Sequence, residues 1–154
     1  MQDKVKLVIL QTGSTGLGVF TLSLIGEGDD VFVFEGDEEW VWEIKGEKLQ
    51  RCLQVGIDRY IVPKPHSSGW YINHSCSPNC YVSRKNQIVA IRNIGPRDEI
   101  TMDYSFNIAW EGFKMECRCK TSNCRSMIKD YFSLPENIRA AGRKYTSEYL
   151  LKMS

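Results

Sequence analysis

A mainly β chain of several short sheets, closed by one C-terminal helix, is what this 154-residue sequence encodes. Three observations carry that reading. Runs rich in β-branched and aromatic residues recur along the chain, each too short for a stable helix. Glycine and proline punctuate those runs at Gly26, Gly28, Gly36, Gly56, Pro63, Pro65, Gly69, Pro78, Gly95 and Pro96. Sequence suited to a longer helix is confined to the end.

The first run, Lys4 to Leu10, alternates apolar and polar positions before becoming wholly apolar, as a partly buried strand does. Val19 to Ile25, Val31 to Phe34, Trp40 to Ile44, Arg59 to Val62, Ile88 to Arg92 and Glu99 to Asp103 follow as further strands. Glu47 to Leu53 holds one or two helical turns. The terminal helix opens at Leu134-Pro135-Glu136, where proline suits the first turn, and runs towards Leu151. No internal repeat or low-complexity linker is visible, and 42% hydrophobic residues suit one compact domain with one modest core.

Composition narrows the function classes. Lys plus Arg (20) nearly balance Asp plus Glu (19), so the global basic surface that duplex binding favours is missing and no direct nucleic-acid binding is expected. No apolar stretch approaches the roughly 20 residues of a membrane span. Val5 to Leu10 is too short for a signal segment and no small-residue cleavage site follows. A soluble, intracellular protein with reduced thiols is the expectation. Charge is nevertheless uneven. Residues 27–43 carry eight acids and no Lys or Arg, whereas Lys114, Arg118, Lys120, Arg125, Lys129, Arg139, Arg143 and Lys144 make the last third basic. Two readings of the acidic segment stand: a solvated loop, or an electrostatic guide for a basic peptide.

Cys117, Cys119 and Cys124 form a C-x-C-x4-C run, one ligand short of the closed tetrahedron of a structural Zn²⁺ site. The fourth ligand must come from elsewhere, and Cys76, in the run Asn73-His74-Ser75-Cys76-Ser77-Pro78-Asn79-Cys80, is the leading candidate, with Cys80 its competitor. Six cysteines could also pair as disulfides, but the C-x-C spacing and the missing export signal argue for metal. Cys52 reads as a small buried hydrophobe.

One motif is a decoy. Thr12-Gly13-Ser14-Thr15-Gly16-Leu17-Gly18 follows an apolar strand, as in dinucleotide-binding folds, but those need a helix next to hold the pyrophosphate. Here the strand-like Val19 to Ile25 follows. The glycines mark a tight turn or a close approach of backbone to a ligand.

Taken in order, Gly16-Leu17-Gly18-Val19-Phe20, Tyr71-Ile72-Asn73-His74-Ser75-Cys76-Ser77-Pro78-Asn79-Cys80 and Asp98-Glu99-Ile100-Thr101-Met102-Asp103-Tyr104 resemble the signature blocks of SET-domain protein-lysine methyltransferases. The run from Cys117 to Arg125 is similar to the family's zinc-binding post-SET segment, and the resemblance spans roughly residues 4–129. It implies a β-clip fold with a knot-like crossing, in which the Tyr104 segment threads beneath the Asn73–Cys76 loop. It also implies a SET domain over 1–112, a post-SET segment over 113–130 and a helical extension over 131–154.

By this resemblance Tyr104 is the catalytic residue, beside the transferring methyl and the lysine nitrogen. Gly16, Leu17, Gly18, Tyr71, Asn73 and His74 meet S-adenosylmethionine. Cys76, Cys117, Cys119 and Cys124 hold one structural Zn²⁺. Met102 and Phe106 belong to the substrate channel, and Asn79 and Pro78 are architectural. A neutral lysine amine is the required nucleophile, so an apolar channel that disfavours the ammonium is expected, with Tyr71, Tyr104, Phe106, Trp110, Phe113 and Tyr131 available as walls. Trp70-Tyr71 stands where many relatives carry Arg-Phe. Met102 stands where relatives usually carry Phe or Tyr; lacking a hydroxyl, it implies progress to di- or trimethyl-lysine.

The expected function is thus lysine methylation of a basic tail such as a histone's, in the nucleus if the chain is eukaryotic and otherwise in the cytoplasm. Homodimerisation to complete the substrate groove is left open. Two alternatives remain: a zinc-containing binding module of the same fold without strong turnover, and a nucleic-acid-binding zinc protein supported only by the basic last third.

Overall fold

The computed structural model describes residues 5–154. Lys4, the expected start of the first strand, lies outside the described residues. The chain opens as a hairpin, β1 (Leu7–Gln11) pairing antiparallel with β2 (Leu17–Thr21) in the register Ile9 to Val19. The glycine-bearing loop is therefore a hairpin turn, closed by Thr12 N–H on the Gly16 carbonyl at 2.6 Å, with Gly16 left-handed at φ 82°. No helix follows it, which removes the dinucleotide reading.

Next come β3 (Asp30–Val33), β4 (Gly36–Trp40), β5 (Leu53–Gln54), β6 (Arg59–Pro63), the short helix α1 (Ser68–Tyr71) and β7 (Asn73–His74). β8 (Cys80–Val82), β9 (Gln87–Ala90) and β10 (Glu99–Met102) complete the main sheet, ordered β1-β2-β10-β8-β9-β3 with β7 added beside β10. β4-β6-β5 forms a second sheet, and β11 (Lys114–Glu116) with β12 (Met127–Lys129) a third. Val19, Ile25, Phe34, Leu53, Ile88, Ile94 and Ile100 are all but sealed in the main core.

β10 is the element that places everything else. Its first half pairs antiparallel with β2, through Glu99 to Phe20 and Ile100 to Val19. Its second half pairs parallel with β7, through Thr101 to Asn73 and Met102 to His74, and touches β8 at Cys80. Asn79 locks the loop between β7 and β8 onto this strand, donating to the Glu99 carbonyl at 2.7 Å and accepting from Thr101 N–H at 2.9 Å. The crossing is thus a hydrogen-bonded joint, and Asn79 is its architectural residue.

Two expected elements are corrected. Trp40 to Ile44 is not a strand: Val41–Glu43 is a 3₁₀ turn, held by Glu43 Oε2 accepting from Trp40 N–H at 2.9 Å. The strand lies just before it, in the acid-rich β4. The C-terminal helix is two short ones, α2 (Glu136–Ala141) and α3 (Glu148–Met153), separated by a 3₁₀ turn at Arg143–Tyr145. The break falls at Gly142, where a Cβ would run into the Phe106 ring, and at Ser147, whose N–H is diverted to the Phe106 carbonyl at 3.0 Å.

Candidate active site

Two cavities meet at the β7–β10 joint. The larger, of about 870 Å³, is walled by Leu49, Arg51, Trp70, Tyr71, Trp110 and Phe113 and reaches Met102 and Tyr104. The smaller, of about 350 Å³, lies against Ser14, His74, Glu116 and Arg118. Thr15, Gly16, Asn73, Tyr104 and Met115 line both.

Tyr104 begins a 3₁₀ turn, Tyr104–Asn107, that Asp103 caps by accepting from Ser105 N–H at 3.1 Å. Its hydroxyl donates to the Ile72 carbonyl at 2.6 Å, just before β7. Its N–H donates to His74 Nδ1 at 3.1 Å, which leaves the imidazole proton on Nε2, 3.3 Å from Cys76 Sγ. Burial pushes His74 down to about 4 against the opposing pull of the Asp103 carboxylate, so the ring is neutral. Burial also pushes the Tyr104 phenol above its ordinary range, with Arg51 opposing and Glu99 adding to the rise.

Asn73 is fixed by two donations from Nδ2, to the Leu17 carbonyl at 3.0 Å and to Glu99 Oε1 at 2.8 Å. Gly18 stands beside that pair, and a Cβ there would displace the Glu99 carboxylate and sit 3.0 Å from Asn73 Nδ2. The glycine run is thereby held against the end of β7, with Gly16 lining both cavities and Leu17 the larger one. Ser14 Oγ reaches across to donate to the Arg118 carbonyl at 3.1 Å, tying this hairpin turn to the cysteine-rich segment.

Cys76, Cys117, Cys119 and Cys124 bring their four sulfurs within 4.8 Å of one another. A tetrahedron with Zn–S of about 2.3 Å has S···S edges of about 3.8 Å, and Cys76 Sγ lies 3.7 Å from Cys117 Sγ. Backbone N–H groups point at the sulfurs, Arg125 N–H at Cys76 Sγ at 3.3 Å and Ser126 N–H at Cys124 Sγ at 3.4 Å. Cys80 is not in the group: it is sealed in β8 opposite Ala90, and burial pushes its thiol up to about 12. The donor set and spacing fit a tetrahedral zinc ion.

The family model for the SET domain matches residues 16–105. The chain belongs to the SET-domain family. Similar proteins include a putative histone-lysine N-methyltransferase 1 of Plasmodium falciparum (isolate 3D7), 28% identical over 80% of this chain and 2% of its own length. The variant-silencing SET domain-containing protein of the same organism is 34% identical over 77% of this chain and 5% of its own. The SET chain therefore spans a small fraction of these curated relatives. Among solved structures, KRYPTONITE in complex with mCHH DNA, H3(1-15) peptide and SAH superposes with a TM-score of 0.61 over 80% of this chain and 29% of that one, at 20% identity. That likeness shows the fold.

Within this SET domain the residues expected at the site are largely gathered. Gly16, Leu17, Tyr71, Asn73, Met102 and Tyr104 line the larger cavity, and His74 joins Gly16, Asn73 and Tyr104 around the smaller one. Gly18 lines neither cavity and sits in β2 beside the Asn73–Glu99 pair. Phe106 also lines neither cavity. It packs with Tyr131, Leu134 and Leu150 in a separate C-terminal cluster, 9% exposed, because the turn after Tyr104 carries it away from the larger cavity. Of the six aromatic residues offered as walls, Tyr71, Tyr104, Trp110 and Phe113 line the larger cavity, whereas Phe106 and Tyr131 are core. None of the eight carboxylates of residues 27–43 lines either cavity. Several are engaged elsewhere: Glu38 pairs with Arg59 at 2.6 Å and Glu35 with Lys64 at 3.5 Å.

Sequence reasoning missed Glu99, which orients Asn73, and Arg51, which donates to the Trp70 carbonyl at 3.0 Å at the edge of the larger cavity. Glu99 lay inside a block already singled out for Tyr104. For Arg51 the sequence carried no signal, since its partner is a backbone oxygen 19 residues away.

Proposed function

We propose that this SET domain is an S-adenosylmethionine-dependent protein-lysine N-methyltransferase acting on a lysine in an extended basic segment such as a histone tail. The single observation that carries the reading is that Tyr104 and Asn73 line both cavities at once. A cofactor on one side and a side chain entering from the other would meet there. The smaller cavity, about 350 Å³, lies within the roughly 300–1,000 Å³ of small-molecule sites. The H3(1-15) peptide and SAH of KRYPTONITE and the name of the Plasmodium methyltransferase support the same substrate class.

S-adenosylmethionine, when bound, would supply a sulfonium-bound methyl whose carbon a neutral amine can attack in line, the N–C bond forming as the C–S bond breaks and the thioether leaves. Gly16, Leu17 and Gly18 would offer it backbone atoms, and Asn73 and His74 would hold its other end. The larger cavity strips water from the incoming lysine through Tyr71, Trp110 and Phe113, which favours the neutral amine. Tyr104, unable to ionise near neutral pH, orients the amine and methyl with its oxygen and does not act as a base. Met102, 6% exposed and without a hydroxyl, lines the channel and leaves room for progress to di- or trimethyl-lysine. Zinc at Cys76, Cys117, Cys119 and Cys124 would pin the post-SET segment, 113–130, beside the cofactor cavity, and histone substrates would place the protein in a nucleus.

Incubation with labelled S-adenosylmethionine and a histone mixture tests the reading, with products resolved by mass spectrometry. Label on histone lysine, passing beyond the monomethyl form, is expected. Cofactor binding without transfer to any histone would favour a binding module of the same fold. Monomethyl product alone, at long incubation, would remove the role given to Met102.

A further inference from the structure

We propose that Arg125 is a positioning residue that couples the sulfur cluster to the turn carrying Tyr104. The inference rests on the functional reading above and extends it to a residue outside both cavities. Arg125 follows the last cysteine of the C-x-C-x4-C run and faces two ways. Its backbone N–H donates to Cys76 Sγ at 3.3 Å. Its side-chain Nη2 donates to Asp103 Oδ1 at 2.7 Å and to Ser105 Oγ at 3.2 Å. Asp103 and Ser105 flank Tyr104 on either side.

The joint is nearly dry. The Asp103 side chain is 4% exposed and that of Arg125 15% exposed, so the pair is held in a medium where a lost partner leaves a buried charge. Among the described residues Arg125 is the only Lys or Arg paired with Asp103, and His74 Nδ1, 3.6 Å away, already accepts from Tyr104 N–H. The same Asp103 Oδ1 that takes the guanidinium also caps the 3₁₀ turn through Ser105 N–H. Three short links therefore run from a cluster sulfur to the turn that carries Tyr104: Cys76 to Arg125, Arg125 to Asp103, and Asp103 to Ser105 N–H. A second route runs from Cys76 through His74 to Tyr104 N–H. Fixing the cysteine segment in place thereby fixes the direction in which the Tyr104 hydroxyl points. A backbone tie to Cys76 survives any substitution at 125, whereas the guanidinium link does not, which makes the coupling separable from the integrity of the cluster.

The test uses the whole chain with zinc supplied, as wild type, Arg125→Met and Arg125→Lys. Three quantities are read: zinc per protein, hydrogen exchange of the Tyr104–Asn107 amides, and kcat and KM for methyl transfer. Arg125→Met is expected to keep the wild-type zinc content while those amides exchange about tenfold faster, since a hydrogen bond to a charged group is lost. Its kcat should fall about tenfold with the cofactor KM within about twofold, and Arg125→Lys should recover part of both effects. Unchanged exchange in Arg125→Met overturns the proposal. Loss of zinc in step with activity overturns it too, because Arg125 would then only support the cluster. Exchange needs no turnover, so a wild type that transfers no methyl refutes the functional reading while the coupling is still judged on the amides.

Discussion

Tyr104 spends its hydroxyl proton on the Ile72 carbonyl and its N–H on His74, so the side chain is fixed before any substrate arrives. Burial holds the phenol above its ordinary range, and under the proposed function the group whose proton governs the rate is the lysine being methylated. A lysine amine is neutral only above its pKa, about 10.4 when free and lower in an apolar channel. The expected pH profile of kcat/KM therefore rises with pH as the lysine deprotonates, and no falling limb from Tyr104 appears below about pH 10. A bell-shaped profile with its descending limb near neutrality would contradict this. Cys80 offers a check on the cluster from outside it. Burial raises its thiol to about 12, so in native protein it should resist alkylation while denatured protein reacts fully, as peptide mapping after iodoacetamide would report.

The C-terminal helices act on the same turn from the opposite side. Ser147 N–H bonds the Phe106 carbonyl at 3.0 Å, the Tyr149 hydroxyl bonds the Asn107 carbonyl, and Gly142 lets the far end of the Phe106 ring come close to the backbone. Gly142→Ala should cost about 1–3 kcal/mol through overpacking and lower the thermal midpoint measured by circular dichroism; an unchanged midpoint would show that Phe106 yields easily. These helices also mark the limit of pattern reading. Glu99 to Asp103 and Arg59 to Val62 were legible because β-branched runs had to pack on a core. β4 was not, since Asp37, Glu38 and Glu39 favour no strand, and only pairing with β6 makes one. The helix break at Gly142 was equally hidden, because its cause is the ring of a residue 36 positions earlier.

Across the molecule, the sulfur cluster, the hairpin turn and the β7–β10 joint converge on the two cavities. Motif order singled out Cys76, Asn73, His74 and Tyr104, and the fold brings Cys76 to the other three sulfurs, Asn73 and Tyr104 to both cavities and His74 to the smaller one. What could not be read was the contact between distant backbones, such as Ser14 with Arg118, and the departure of Phe106 into the C-terminal cluster. If zinc holds that arrangement, chelation should lower both methyl transfer and the thermal midpoint, and stoichiometric Zn²⁺ should restore both; activity untouched by a zinc-free state, verified by metal analysis, would contradict it. The most direct measurement is single-turnover methyl transfer to a histone-tail peptide by wild type and Tyr104→Phe, with cofactor affinity measured on both. The account predicts transfer by wild type, similar cofactor affinity in the two proteins, and a rate about 10²-fold lower in the variant. Equal rates from both proteins would contradict it.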